Sequence, residues 1–166
     1  MIEVPIDADM IARSRRRADK LGVLNRSFMH GRGNFVGFLV EEIVLAAFPG
    51  AELADDYNFD IIYAGMRFDV KTKRTSAVPL PHYLCSVSDH NTRQKTDNYL
   101  FCRVLEVNGE FRKGWILGYL PKEEFYNKAF FMRKGEREGD NGYVVKSDCW
   151  SVRIDSLRAL VGEETG

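Results

Sequence analysis

The sequence predicts an α/β domain, and three stretches carry that expectation. Residues 35–48, F-V-G-F-L-V-E-E-I-V-L-A-A-F, are apolar on nearly every face, as a centrally placed helix would be. From Tyr57 to Arg74 apolar and polar residues alternate on both sides of Ala64-Gly65, the pattern of a β-hairpin. Further strand-like runs follow at 83–88, 99–107 and 115–120. A chain of 166 residues is expected to form one domain that buries about 70% of its unfolded surface.

Taken in order, Asp7 is placed to cap a first helix through Met10, Ile11 and Arg15 to Leu21, with Gly22 as its stop and Arg13, Arg16, Arg17 and Lys20 on its outer face. A loop leads to Asn34, the expected cap of the apolar helix, which Pro49-Gly50 ends. Glu41 and Glu42 lie in the middle of that helix. Successive residues point about 100° apart, so one of them is expected to face the hairpin and the other to find solvent or a partner. A short strand near Glu52-Leu53 precedes the hairpin, and strands at Tyr83–Ser88 and Tyr99–Val107 follow it. Beyond Trp115–Leu120, Pro121 suits the first turn of a short helix, K-E-E-F-Y-N-K-A. Gly135–Gly142 is expected to be a loop, Tyr143–Ile154 one strand, and Asp155 the cap of a last helix, with a frayed G-E-E-T-G end.

Composition bounds the function. The 24 basic and 24 acidic residues cancel, which argues against a purely electrostatic coat for nucleic acid. The charges are nevertheless uneven, since Arg13–Arg32 holds seven basic residues against Asp19 alone. Cys85, Cys102 and Cys149 are widely spaced in apolar runs and read as reduced core residues of a cytoplasmic protein. No C-x-x-C pair, signal-peptide pattern or membrane-length apolar run is present. G-R-G-N-F-V-G lacks the G-K-[S/T] ending of an ATP-binding loop, and His30, His82 and His90 read as loop residues.

The hairpin holds the chemistry. If its loop has two residues, Tyr63 faces Met66, Ile61 faces Phe68 and Phe59 faces Val70, giving one apolar face. Asp60 then lies opposite Asp69. Two carboxylates about 5 Å apart repel by roughly 3 kcal/mol at an effective dielectric constant near 20. The strain is relieved by a proton on one of them, by a cation beside them, or by a divalent metal between them. Lys71 stands two residues beyond Asp69 and shares its face.

Asp60, a turn, and then Asp69-Val70-Lys71 resembles the D…(D/E)-x-K signature of the PD-(D/E)XK phosphodiesterase superfamily, with Phe59 in place of its proline. Gly37–Glu41 resembles the G-x-x-x-E that many members carry on the helix before the hairpin. The resemblance implies a restriction-endonuclease-like core, a central mixed β-sheet flanked by helices, with the carboxy-terminal strands and helices as additions. The helix usual between the last two core strands would have to fit within Asp89–Asn98. The resemblance also implies a Mg²⁺-dependent DNA endonuclease, with Mn²⁺ able to substitute, whose catalytic residues are Glu41, Asp60, Asp69 and Lys71. Asp60, Asp69, Glu41 and the Val70 carbonyl would bind the metal, and Glu42 is the alternative to Glu41. Homo-oligomers are common among small members. Arg16, Arg17, Arg32, Lys73, Arg74 and Arg93 are the candidate contacts to DNA phosphates. Two other readings remain: a nucleic-acid-binding module that does not cut, and an enzyme acting on a small phosphorylated metabolite.

Overall fold

A computed structural model of the protein describes residues 1–25, 32–54, 56–139 and 142–162, without the side chains of 22–25 and 32–34. It is an α/β fold in three layers. A six-stranded sheet lies in the middle with strand order β1-β7-β6-β4-β3-β2, formed by Ile2–Pro5 (β1), Glu52–Leu53 (β2), Ile61–Tyr63 (β3), Met66–Thr75 (β4), Asn98–Val107 (β6) and Glu110–Pro121 (β7). Only β4 and β6 run parallel, so the sheet is mixed.

Two helices, α1 (Ala8–Asn25) and α2 (Arg32–Ala47), cover one face. Val36, Leu39, Val40, Ile43 and Val44 of α2 pack there with Phe68, Leu100, Val104 and Ile116 of the sheet. α2 is apolar all round because it meets the sheet on one side and α1 on the other. The opposite face carries α3 (Lys122–Lys128) and a three-stranded sheet of β5 (Leu84–Ser88), β11 (Cys149–Arg153) and β8 (Phe130–Met132), in the order β5-β11-β8. Cys85, Val87, Phe125 and Val152 bury Tyr99, Phe101, Trp115 and Leu120 there. A two-strand ribbon, β9 (Arg137–Glu138) with β10 (Tyr143–Val144), completes the fold.

Several sequence expectations hold. Asp7 Oδ1 accepts the Met10 amide at 2.8 Å and caps α1. The Ala64-Gly65 turn closes the hairpin with positive φ at both residues (50° and 75°), in the register Tyr63–Met66 and Ile61–Phe68. Cys85, Cys102 and Cys149 are free and buried. Among the described residues no helix is long and apolar enough to cross a membrane.

Others are corrected. α1 passes through Gly22 to Asn25, since one helical glycine costs only about 1 kcal/mol. α2 starts at Arg32, so Asn34 lies within it and does not cap it. Strand 84–88 leaves the central sheet, because Cys85 and Val87 lie flat on its far face as a second layer and β6 takes the place beside β4. Where a helix was expected within Asp89–Asn98 there is a 3₁₀ turn at Asp89–Asn91. The loop 135–142 contains β9, and the strand expected over 143–154 is split into β10 and β11. Among the described residues no helix follows Asp155. A 3₁₀ turn at Ile154–Ser156 leads instead to extended chain that bridges Tyr119 and Arg158. β1, which the sequence did not announce, covers β7 only as far as Ile116, so the backbone groups of Tyr119 still need partners, and the tail supplies them at 2.9 and 3.0 Å. His30 and the frayed end at 163–166 lie outside the described residues.

This bridge depends on a bulge in β7, where the pairing with β6 shifts between Phe101 and Cys102. Gly118 sits in the bulge at φ 142°, and a Cβ there would come within 2.5 Å of the Arg158 carbonyl oxygen. Backbone strain and a clash with rigid backbone act together. Gly118→Ala is therefore expected to destabilise the protein by about 2–4 kcal/mol, read as a shift of the urea midpoint.

Candidate active site

The hairpin ladder stops one residue short of the register expected for Asp60. The Asp60 amide donates to the Phe68 carbonyl at 2.8 Å, and its Oδ2 accepts the Val70 amide at 2.7 Å. Its carboxylate thus takes the place of a backbone partner for β4. It is not stacked across the ladder from Asp69, but the two carboxylates remain close enough for Asp60 to raise the Asp69 pKa by charge and by hydrogen-bond contact.

Asp69 is 5% exposed. Burial pushes its pKa up to about 6, against the pull of Lys71 and with a further push from Asp60. Lys71 Nζ lies 2.7 Å from Asp69 Oδ2, a close ion pair that pulls against the effect of burial. Of the three ways to relieve neighbouring carboxylates, one is visible, a cation alongside, while burial makes a proton easier to bind than on an ordinary carboxyl.

Lys71 is held by more than Asp69. Gln94 Oε1 accepts from its Nζ at 3.5 Å, and the Tyr99 ring centroid lies 6.0 Å away. Tyr99 is there because it is the ladder partner of Asp69. Gln94 belongs to the polar segment Asn91–Asp97, which is tied down where Lys122 donates to the Thr92 and Gln94 carbonyls and the Lys95 amide to Asn58. The sequence marked this segment as polar and adjacent, but gave no sign that Gln94 in particular reaches the lysine.

Glu41 and Glu42 are both buried, and both face α1 arginines. Arg17 meets Glu41 at 2.6 Å and Arg13 meets Glu42 at 2.9 Å. Two arginines four apart on α1 present one face to two consecutive glutamates on α2. Arg17 thus turns partly toward α2, whereas Arg13 stays exposed while it reaches Glu42. Arg17 also stacks on Phe38 at 4.1 Å, and its Nη1 is buried without a partner. Burial raises the Glu41 pKa to about 7, Arg17 opposes the rise, and the charge of Asp60 adds to it. Glu41 therefore lies within electrostatic reach of the hairpin carboxylates, with an arginine as its present partner. A Cβ on Gly37 would meet nothing within 4 Å, so packing does not demand glycine in G-x-x-x-E.

The remaining basic candidates separate. Arg16 and Arg93 are exposed. Lys73 is paired with buried Glu138 at 2.8 Å, and Arg74 with Glu106 at 3.3 Å. Arg32 opens α2, and its side chain lies outside the description.

The donor set suits a hard cation in part. Asp60 and Asp69 offer only oxygen, and a cation that engaged Asp69 Oδ2 would share it with the Lys71 ammonium. Among the described residues no three acidic, histidine or cysteine side chains are already grouped as a metal cage, since Glu41 is turned to Arg17. Against known proteins, the chain matches no family model and no curated sequence.

Proposed function

We propose that the protein is a metal-dependent DNA endonuclease with a restriction-endonuclease-like core, hydrolysing phosphodiester bonds at Asp60, Asp69 and Lys71 with Glu41 in support. The observation that carries this reading is the Asp69 carboxylate: buried, beside a second carboxylate, and contacted by the Lys71 ammonium at 2.7 Å. The apolar helix before the hairpin, which brings Glu41 into range of Asp60, supports the same reading.

Asp60 and Asp69 would hold Mg²⁺ or Mn²⁺, with the Val70 carbonyl as a further oxygen. Such a cation supplies an acidified water and neutralises charge on the phosphate. The chain's own groups do the rest. The Lys71 ammonium, fixed by Asp69, Gln94 and the Tyr99 ring, is placed to orient the attacking water and to meet charge developing on the phosphate. Asp60, pinned by the Val70 amide, keeps its free oxygen in a set direction. Arg17 favours the ionised form of Glu41 and so opposes part of the effect of burial.

The test is cleavage of plasmid, linear duplex, single-stranded and branched DNA with Mg²⁺ or Mn²⁺. Cleavage that EDTA abolishes and added metal restores is the expected result. DNA binding without cleavage in either metal would instead favour a module that recognises nucleic acid and does not cut it.

A further inference from the structure

A cleft of about 570 Å³ runs beside β4 and β6 under the β9–β10 ribbon. Shared walls at Lys73, Arg103 and Tyr143 join it to a recess of about 280 Å³ that is lined by Lys71. The proposed active site is thus one end of a longer passage.

Two charged groups in its walls are buried at a cost that the fold does not need. Arg103 is 5% exposed and lies 5.2 Å from the Tyr83 ring centroid. One of its terminal nitrogens donates to the Leu84 carbonyl at 2.9 Å, but its buried Nε has no partner. Glu138, 4% exposed and carried on the ribbon, pairs with Lys73 at 2.8 Å. Replacing such charges by apolar residues is often neutral or stabilising, so their retention calls for a use. An unused guanidinium donor and a lysine neutralised by a carboxylate on a small ribbon make an anion site in which Glu138 occupies the anion's place.

The spacing fits a chain of anions. Lys73 and Arg103 are ladder partners, and Lys71 stands one pleat repeat away, about 7 Å. That is of the order of the distance between successive phosphates along one strand. Aromatic rings accompany the cations, with Tyr143 5.7 Å from Lys73 Nζ and Tyr83 beneath Arg103. Cations interleaved with rings suit unpaired nucleotides, whose bases can stack, better than a duplex, whose bases are already stacked.

We propose that this cleft receives one unpaired strand of nucleic acid, its phosphates on Lys73 and Arg103 and its bases against Tyr143 and Tyr83, and leads it to Lys71. The proposal rests on the nuclease reading for what happens at the far end, and it makes the substrate DNA with a single-stranded portion. Glu138 is the group the strand displaces.

Binding in EDTA separates the cleft from catalysis. Fluorescence anisotropy of a labelled oligothymidylate and of a duplex of equal length, with the full chain at near-physiological salt, should show the single strand bound about 10-fold tighter or more. Tyr143→Leu, at a position 43% exposed, should weaken single-strand binding about 5-fold or more while the protein still melts cooperatively above the assay temperature. Lys73→Gln should lower the slope of log K against log salt by about 0.7. Glu138→Gln should tighten binding several-fold. Equal affinity for both DNA forms, or unchanged single-strand affinity in both Tyr143→Leu and Glu138→Gln, would overturn the proposal. Metal-dependent cleavage of uninterrupted duplex at wild-type rate by Tyr143→Leu would sink the cleft and leave the nuclease standing. Preferential single-strand binding with no cleavage in any metal would do the reverse.

Discussion

Asp69→Asn and Lys71→Ala are each expected to lower metal-dependent cleavage by about 10³-fold or more, the loss typical when a group meeting transition-state charge is removed. Their effects on stability should differ in sign. Asp69→Asn removes a carboxylate whose ionisation burial opposes, so the metal-free protein should gain stability at pH 8. Lys71→Ala leaves that carboxylate buried without its cation, which costs about 3–5 kcal/mol for a buried pair broken on one side. The double variant Asp69→Asn with Lys71→Met removes both charges and should fold about as stably as wild type while remaining inactive. Plasmid nicking measures the first effect and urea unfolding the second. Full activity in well-folded Asp69→Asn would refute the assignment of this carboxylate to the chemistry.

The part of the site carried by local pattern was legible in the sequence, and the part made by packing was not. Alternation fixed the hairpin, its turn and the shared face of Asp69 and Lys71, because side-chain direction in a strand follows position alone. Extending that alternation to Asp60 failed, since a short acidic side chain can bond the neighbouring strand's amide itself and so end the ladder. The strand at 84–88 was found but placed in the wrong sheet. Its length and composition fit an edge strand and a second-layer strand equally well, and only the burial of Cys85 and Val87 on Tyr99 and Phe101 decides between them.

The paired glutamates show the same limit. Two acids in an apolar helix announced that something must compensate them, yet the compensators sit 24 and 29 residues earlier. Arg13 and Arg17 lie on a helix whose basic residues suggest a phosphate-binding surface when read alone. Both are tied to the glutamates, Arg17 half-buried and Arg13 still exposed, while Arg16 stays outside. The Asn108-Gly109 turn between β6 and β7 was within reach of sequence reasoning, since Asn-Gly with positive φ at both residues (52° and 78°) is a strong hairpin signal. Using it would have joined two separately read strands into one long hairpin.

Stability of the metal-free protein should fall as pH rises from about 4.5 to 7, and Glu41 with Asp69 should account for most of the fall. In the folded chain Glu41 titrates at about 7 against an ordinary 4.5, and Asp69 at about 6 against 3.8. Within those windows the folded state holds protons that the unfolded state has released, so each group's contribution is fully present below its unfolded pKa and is lost as pH climbs through the folded value. A rise of about two units corresponds to roughly 3 kcal/mol for each group. The lowered carboxyls, Asp97 beside Arg67 and Glu124 beside Lys128, are exposed or nearly so and act below the ordinary carboxyl range, outside this window. Scanning calorimetry in EDTA should therefore give a melting temperature several degrees higher at pH 5 than at pH 7.5. Asp69→Asn should reduce the difference by raising the value at pH 7.5. Mg²⁺ at pH 7.5 should restore part of the lost stability, because a cation favours the ionised carboxylates that burial disfavours. A flat profile in EDTA would mean that water reaches these carboxyls freely, and the buried carboxylate on which the catalytic reading stands would not exist.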